Sequence, residues 1–280
     1  MTQKVVLISG ATSGIGLVTA NKLHELGWKV YAGGLQGDNF LKLQYGITQL
    51  PFDITDSEDI AGAVKLIMIE SGRLDALVNN AGIQIAGPLE SLSMAQLRKQ
   101  FNVNLFGHVE VTQAVLPMLH SAPDARIVNV SSLMGSVTMP LLGAYSMSKH
   151  ALEAYSDALR LELAPSGIHV ATVTPGAIAT PMSDHTSTSL AQLRDDSPLE
   201  MQKRYHALFE GMLNTLDQQN ASATPPEAIA DAIIDALTSD NPRPRYIIGS
   251  GVRGLTTLHN LLPTRLWDHF LKRVLGIHHK

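Results

Sequence analysis

Residues 4–16, KVVLISGATSGIG, combine two features that together decide the fold. Residues 4–9 are an apolar run rich in β-branched side chains, which is typical of a buried strand. The glycines that follow, in the order G-x-x-x-G-x-G, predict a sharp turn. Residues 17–26 then carry apolar side chains at helical spacing and stop at Gly27. This stretch therefore predicts a strand, a tight turn and a helix, which is the start of a βαβ unit.

The same alternation of strand and helix patterns continues along the chain. Further strands are predicted at residues 29–32, 47–52, 74–79, 126–131, 169–174 and 245–248, with helices at 60–69, 94–120 and 144–163. Strands joined by helices form parallel units with right-handed crossovers. We therefore predict an α/β fold, a Rossmann-type doubly wound parallel sheet in one domain over residues 1–280. Residues 183–223 are predicted as a substrate lid and 252–280 as a C-terminal helical extension.

The composition excludes several classes of protein. The chain has 280 residues, a formal charge of −4 and no cysteine. Disulfide frameworks and thiolate metal sites are therefore absent, and no basic excess provides a footprint for nucleic acid. The histidines lack metal-ligand spacing, so we expect no metal. No apolar run reaches the roughly 18 residues of a membrane-spanning helix, and the first residues do not resemble a secretory signal. We expect a cytoplasmic protein.

The glycine turn also predicts a dinucleotide site. Glycines after a strand let the backbone approach a pyrophosphate, while the helix N-terminus offers free N–H groups and a positive dipole. A turn that only reverses the chain is the alternative. The acidic residue expected about 20 positions on, which would bind the ribose, is missing at Gly34, and Asp38 follows it. No cation occurs between Lys29 and Lys42 to receive a 2′-phosphate. The residues therefore favour NAD, with NADP left open.

A tyrosine and a lysine four residues apart predict acid–base chemistry. Tyr145 and Lys149 share one face of the predicted helix after the fifth strand. A neighbouring cation is expected to lower the pKa of the phenol from its ordinary value near 10. Ser132 ends the fifth strand at the same sheet edge as the glycine turn. A chance spacing on a surface helix is the alternative for the pair.

Together these motifs resemble the short-chain dehydrogenase/reductase family over roughly residues 4–182. The family's cofactor loop T-G-x-x-x-G-I-G matches residues 9–16 with Ser9 in place of threonine, and its N-N-A-G signature matches residues 79–82. The family's catalytic asparagine, serine, tyrosine and lysine fall on Asn104, Ser132, Tyr145 and Lys149. The spacing and the resemblance predict cofactor contacts at Gly10, Thr12, Ser13, Gly14, Ile15, Gly16, Asp38, Asp53, Ile54, Asn80, Ala81, Gly82, Tyr145, Lys149, Pro175, Gly176, Ile178 and Thr180.

The resemblance also implies roles for the catalytic residues. Tyr145 would exchange a proton with the substrate oxygen, and Ser132 would hydrogen-bond that oxygen. Lys149 would lower the pKa of the tyrosine and bind the nicotinamide ribose. Asn104 would anchor a water that links Lys149 to solvent. The family commonly pairs subunits through the helices near 95–120 and 145–163, which implies a homodimer or homotetramer.

The loop between Ser132 and Tyr145 indicates the substrate class. It is apolar and carries no Lys or Arg to pair with an anion. We expect an uncharged, hydrophobic secondary alcohol or ketone of steroid, retinoid or aryl-carbinol type. Residues 183–197 are rich in Ser, Thr and Asp and are expected to form a mobile lid. The candidate substrate contacts are Ser132, Met134, Met139, Leu142, Met182, Phe209 and Met212, with core packing as the alternative for the apolar ones.

The tail and the remaining function classes stay open at this point. Residues 265–274 form an amphipathic, partly basic pattern that predicts either peripheral membrane contact or packing against the domain or a second subunit. A non-catalytic nucleotide-sensing or scaffold protein, and a lyase or dehalogenase, are other uses of such a fold. The presence of both Tyr145 and Lys149 favours the oxidoreductase.

Overall fold

The computed structural model describes residues 3–35, 37 and 40–277, and these form one parallel sheet flanked by helices. The sheet has seven strands in the order β3-β2-β1-β4-β5-β6-β7. The strands are β1 (Val5–Ile8), β2 (Lys29–Gly34), β3 (Thr48–Pro51), β4 (Ala76–Asn79), β5 (Arg126–Val130), β6 (His169–Pro175) and β7 (Arg245–Ile248). The predicted doubly wound α/β fold is confirmed. The order reverses between β1 and β4, which opens a crevice at the carboxyl ends of the strands.

The central strand β1 shows why the sequence specifies this sheet. Val6 pairs with Val30 on one side and with Ala76 on the other. Val6 and Ile8 contribute to the apolar layer on one face, whereas Val5 and Leu7 contribute to the layer on the opposite face. A strand that is covered on both faces must be apolar at every position, and residues 5–8 are.

Ten α-helices connect and extend the strands in the described part of the chain. They are α1 (Gly14–Glu25), α2 (Ser57–Ser71), α3 (Met94–Phe101), α4 (His108–His120), α5 (Gly143–Leu163), α6 (Pro181–Asp196), α7 (Leu199–Ala221), α8 (Pro226–Thr238), α9 (Val252–Leu261) and α10 (Thr264–Val274). The helices predicted at 17–26, 60–69 and 144–163 correspond to α1, α2 and α5. Local chemistry sets the start of α2, because the Asp56 carboxylate accepts hydrogen bonds from the Glu58 and Asp59 N–H groups.

The continuous helix predicted over residues 94–120 is wrong in its middle. A π-helical turn, Asn102–Gly107, separates α3 from α4. At the end of this turn the backbone packs tightly, because a Cβ at Gly107 would lie 2.6 Å from the Ile54 carbonyl oxygen. π-Helical turns inside α-helices are frequent at functional sites. Here the turn carries Asn104.

Residues 183–196 of the segment expected to form a mobile lid belong to the regular helix α6. Pro181 occupies the first turn, where its missing N–H is not needed. The hydroxyls that suggested a loop bond within the helix, as Thr186 Oγ1 donates to the Met182 carbonyl at 2.8 Å. Helix α7 follows and packs beside α6. Most of residues 183–223, the segment predicted as a substrate lid, therefore consists of the two helices α6 and α7.

The amphipathic tail packs against the rest of the chain. Trp267 of α10 is buried in an apolar cluster with Leu133, Val137 and Val252, and Phe270 and Leu271 pack against this cluster. Of the two possibilities for residues 265–274, this arrangement matches packing against the domain, with apolar residues of α10 in the contact. Contact with a membrane stays a prediction. In the described ranges, no helix combines the length and the apolar character that crossing a bilayer requires.

Candidate active site

A cavity of about 770 Å³ lies at the carboxyl ends of the strands. This volume is within the range of small-molecule and cofactor sites. The wall includes the predicted residues Gly10, Thr12, Ser13, Gly14, Ile15, Asp53, Ile54, Asn80, Ala81, Gly82, Ser132, Tyr145, Lys149, Pro175, Gly176, Ile178 and Thr180. Gly16 lies behind the wall, and Asp38 lies outside the described residues. The structure therefore brings the glycine turn and the Tyr–Lys pair to one cavity.

The glycine turn is a cradle that a side chain would fill. Gly10 has a φ of +64°, and a Cβ there would lie 2.7 Å from the Cα of Ala81. A Cβ at Gly16 would overlap the Gly10 carbonyl and come within 2.5 Å of Asn80 Nδ2. The first turn of α1 carries no acidic residue, so its positive end is not neutralised locally. These features fit the pyrophosphate of a dinucleotide.

The residues after β4 hold the glycine turn in place. The Ser9 hydroxyl accepts hydrogen bonds from the N–H groups of Asn80 and Ala81 at 3.0 and 3.1 Å. The Asn80 side chain donates to the carbonyls of Ser9 and Gly10 at 3.0 and 2.9 Å. Asn80 was predicted as a cofactor contact, and its amide nitrogen is used inside the protein to fix the cradle. Ser9, which replaces the family's threonine, has the same supporting task.

His108, which sequence reasoning missed, supports the same segment. Its ring Nε2 lies 2.7 Å from the Ala81 carbonyl. Burial, and secondly the charge of Lys149, lower the pKa of His108 from 6.5 to about 3, while the bond to Ala81 opposes the shift. The ring is therefore neutral, and Nε2–H is the donor to Ala81. No sequence motif signals this role.

Tyr145 and Ser132 form the reactive end of the cavity. Tyr145 is 8% exposed, and burial raises the pKa of its phenol above 10, opposed by a hydrogen bond with Ser132. The expectation that Lys149 lowers this pKa is not met here, since burial dominates and the lysine is not among the causes of the shift. Tyr145 is consequently protonated at neutral pH, which suits a proton donor.

Lys149 lies one helical turn beyond the tyrosine and faces the sheet. Its Nζ donates to the Val130 carbonyl at 2.9 Å and lies 5.8 Å from the centre of the Tyr145 ring. Burial lowers the pKa of Lys149 from 10.5 to about 8, and the charge of Glu153 opposes the shift. The Lys149 amine is therefore mostly protonated at neutral pH, although the residue is only 4% exposed.

Glu153 is a second residue that the sequence did not indicate. It follows Lys149 by one turn of α5 and is 8% exposed. Its carboxylate accepts from Thr174 Oγ1 at 3.2 Å and from Arg245 Nη2 at 2.8 Å. Arg245 also contacts Asp157 near the surface. A line of alternating charges thus connects Lys149 to the outside of the molecule.

Asn104 is buried beside the cavity and does not line it. Its side-chain oxygen accepts from the Ile83 N–H, and its nitrogen donates to the Ile83 carbonyl, both at 2.9 Å. The same nitrogen lies 3.2 Å from Ser148 Oγ. The π-helical turn therefore positions an amide that ties the segment after β4 to helix α5. The predicted water link to Lys149 stays a prediction.

The structure divides the predicted substrate residues into two groups. Met134, Leu142 and Met182 line the cavity. The expected contacts at Met139, Phe209 and Met212 need correction, because these side chains lie behind the wall in an apolar cluster that also contains Leu190 and Leu275. Helical spacing identified the buried face of α7 but not its neighbours.

Several wall residues were not predicted at all. Helix α7 contributes Leu216, Gln219 and Asn220 to the wall, and α6 contributes Ser183 and Thr186. At the rim, α3 presents the exposed side chains of Arg98 and Lys99. Their positions depend on how distant helices pack, so no local pattern could have identified them.

Comparisons with known proteins identify the family of this chain. Residues 4–191 match the family model described as short chain dehydrogenase. The chain is 37% identical to the uncharacterized oxidoreductase YbbO of Escherichia coli K12, covering 96% of this chain and 94% of that protein. It is 35% identical to the 3-ketodihydrosphingosine reductase of Bacteroides thetaiotaomicron (97% and 98% covered) and to the 17-beta-hydroxysteroid dehydrogenase type 6 of Bos taurus (98% and 89%).

A solved structure extends the likeness to the cofactor. A short chain dehydrogenase from Burkholderia cenocepacia J2315 in complex with NADP is 25% identical, with a TM-score of 0.72 over 96% of this chain and 98% of that one. The family and this neighbour support a nicotinamide cofactor, and the shape of the glycine cradle fits its pyrophosphate. The chain belongs to the short-chain dehydrogenase family and is an oxidoreductase that acts on CH–OH groups with a nicotinamide cofactor.

Proposed function

We propose that the substrate is a hydrophobic secondary alcohol or ketone of steroid, retinoid or aryl-carbinol type. The observation that carries this proposal is the apolar wall around the reactive groups, formed by Met134, Leu142, Met182 and Leu216. Two relatives, a 17-beta-hydroxysteroid dehydrogenase and a 3-ketodihydrosphingosine reductase, have names that support a hydrophobic ketone. Methionine side chains adapt to irregular apolar shapes, which suits such ligands.

The side chains of this cavity would each have a separate role in carbonyl reduction. The nicotinamide, when bound, supplies or accepts the hydride. Ser132 hydrogen-bonds the substrate oxygen and stabilises the negative charge that develops there. Tyr145, protonated at neutral pH, donates its proton to that oxygen; in the reverse direction it accepts the alcohol proton. Because the pKa of the phenol is raised, Tyr145 is in the proton-donating form that reduction requires.

Lys149 completes the catalytic set. Its ammonium is held by the Val130 carbonyl, where it can bind the nicotinamide ribose and stabilise the phenolate that forms after proton transfer. We further propose that Asn104 orders a water that returns the proton through Lys149. Residues 10–16, Asp53, and the segment from Pro175 to Thr180 would hold the cofactor itself.

We propose NAD as the preferred cofactor. At the end of β2 the described wall residues are Gly33, Gly34 and Leu35, which offer no cation to a 2′-phosphate. Among the described wall residues, the cations are Lys149, which is buried, and the pair Arg98 and Lys99 on the rim. If NADP is used instead, these two are the candidates to bind its extra phosphate. Replacing both by alanine would then raise the KM for NADPH and leave the KM for NADH unchanged.

We also propose a single domain in which α6 and α7 cover the substrate, assembled as a homodimer or homotetramer. Phe106 in the π-helical turn and Met147 and Leu161 on α5 expose large apolar side chains, which supports pairing through these elements. The molar mass in solution, measured by light scattering, tests the assembly. A monomeric mass at micromolar concentration would contradict it.

One screen tests the proposed function as a whole. Nicotinamide absorbance is followed for both cofactors with a panel of steroid, retinoid and aryl ketones and the matching alcohols. We expect turnover of several hydrophobic members, and none of small ketones that carry a carboxylate or a phosphate. A preference for the charged substrates would contradict the proposal.

A further inference from the structure

The last turns of α7 face the cavity with one apolar and two polar side chains. Leu216, Gln219 and Asn220 are spaced i, i+3 and i+4, so they share a helix face, and all three line the wall. A short parallel bridge fixes this end of the helix. The Ala179 N–H donates to the Thr224 carbonyl at 3.1 Å, and the Thr224 N–H donates to the Ala177 carbonyl at 3.0 Å. The two amides are therefore held next to the segment that carries Ile178.

These amides differ from the other polar groups of the helical pair. Ser183 Oγ donates to the Ile178 carbonyl at 2.7 Å, and Thr186 Oγ1 donates to the Met182 carbonyl, so both hydroxyls have protein acceptors. The side-chain amides of Gln219 and Asn220, both half-buried, form no hydrogen bond to any residue in the described ranges. Each amide can accept at its oxygen and donate twice from its nitrogen. The donors and acceptors of these two amides are therefore available to a ligand in the cavity.

The charges around this end restrict what the amides can bind. The wall residues in the described part of the chain include one carboxylate, Asp53, and it lies after β3 at the glycine-turn side. An ammonium group would therefore find no carboxylate in the part of the wall that α7 contributes, because Asp217 of α7 does not line the cavity. A carboxylate would likewise find no cation on α7, because the wall cations lie elsewhere: Arg98 and Lys99 on α3 at the rim, and Lys149 on α5 against the Val130 carbonyl. A neutral hydroxyl matches an amide, since each can donate and accept.

We propose that Gln219 and Asn220 form a subsite for a second, neutral hydroxyl group of the substrate, remote from the carbonyl that reacts. The substrate class becomes hydrophobic hydroxyketones and the corresponding diols. This inference rests on the proposed function, since it assigns a further contact to the same substrate. A polar group in an otherwise apolar pocket discriminates strongly, because a substrate without the hydroxyl leaves the amides unpaired.

The test compares matched substrates and near-isosteric variants. The wild-type protein is assayed with a hydrophobic hydroxyketone and with the same ketone lacking the hydroxyl. Gln219→Met and Asn220→Leu, singly and together, remove the amides with little change in volume. Gln218→Met, on the exposed side of the same helix, is the control. Melting curves and the dissociation constant of the nicotinamide cofactor are measured for every variant.

We expect each single variant to lower kcat/KM for the hydroxyketone about tenfold, and to leave the plain ketone within about twofold. The control should change neither value. Equal losses of kcat/KM with both ketones would overturn the subsite while leaving the proposed function intact. So would a raised dissociation constant of the nicotinamide cofactor. Failure of the wild-type protein to turn over either ketone would overturn both. If one variant does not fold, the remaining single variant decides by the same comparison.

Discussion

Replacing Lys149 with methionine is expected to stabilise the protein at neutral pH while abolishing turnover. The ammonium is buried, and burial lowers its pKa from 10.5 to about 8 despite the opposing charge of Glu153. The folded protein therefore holds a protonated lysine at a free-energy cost that the unfolded chain does not bear. Methionine has a similar length and carries no charge, so it removes that cost.

The size of the effect follows from the pKa. A shift from 10.5 to about 8 corresponds to about 3 kcal/mol, at roughly 1.4 kcal/mol per pKa unit. The hydrogen bond to the Val130 carbonyl contributes about 1 kcal/mol in the opposite sense. The net expectation is a gain of about 2 kcal/mol in the free energy of unfolding below pH 8.

The pH dependence gives this prediction its sign. Between pH 8 and 10.5 the unfolded chain binds a proton at Lys149 that the folded protein has lost. The free energy of unfolding of the wild-type protein therefore rises with pH through this window, relative to the variant. The advantage of Lys149→Met should shrink through the window and be lost near its upper end, where only the missing hydrogen bond remains.

Equilibrium urea unfolding, followed by circular dichroism at about pH 7 and about pH 10, measures both effects. Lys65→Met is the matched control, because Lys65 is exposed and its replacement should show no such pH dependence. A variant that is less stable than the wild-type protein at pH 7 would refute the reasoning. So would a stability difference that stays constant between the two pH values.

Three further substitutions test other parts of the structure. Phe209→Ala should lower the free energy of unfolding by about 3–5 kcal/mol, because the ring is buried behind the cavity wall. The KM values for substrate and for cofactor should stay within about twofold of wild type. A selective rise in the KM for substrate would count against this placement. Glu153→Gln should move the basic limb of the kcat/KM pH profile to lower pH, because the charge of Glu153 raises the pKa of Lys149. The control Asp157→Asn should leave that limb in place. Equal shifts in both variants would argue for general structural damage. Gly16→Ala should weaken nicotinamide binding at least about tenfold in a fluorescence titration, because its Cβ would overlap the glycine turn; unchanged binding would contradict the cradle.

The sheet could be predicted from the sequence because its strands are buried on both faces. Residues 5–8 are a continuous apolar run, residues 126–130 are rich in β-branched side chains, and each stretch is followed by a serine, so both are readily identified as buried strands. Helix ends moved by a few residues, since caps and terminal turns depend on contacts outside the pattern. The π-helical turn at Asn102–Gly107 was missed because the helical pattern of residues 94–120 continues through it, and the close packing of Gly107 against Ile54, which is distant in sequence, is visible only in the structure.

The site was predictable where motif and topology coincide. The residues of the glycine turn, Ser132 and Tyr145 all follow strands at one edge of the sheet, so their meeting follows from the parallel order. The assignments on α7 failed for a physical reason. Helical spacing shows that Phe209 is buried, but it cannot show whether its neighbour is a ligand or Leu275.

The electrostatics of the Tyr–Lys pair were also beyond the sequence. Spacing on one helix face suggests that the lysine lowers the pKa of Tyr145. The structure shows that Tyr145 is buried and places Lys149 Nζ against the Val130 carbonyl, and burial raises the pKa of the phenol. The competition between charge and burial can be judged only when both environments are known.

The proton-donor role of Tyr145 is tested most directly by one variant measured in two ways. Tyr145→Phe removes the hydroxyl and leaves the ring that packs at the cavity wall. The account predicts that turnover of hydrophobic ketones falls at least about a thousandfold, while nicotinamide binding stays within a few-fold of wild type. Turnover that survives at near wild-type rates, with the cofactor bound normally, would contradict the assignment.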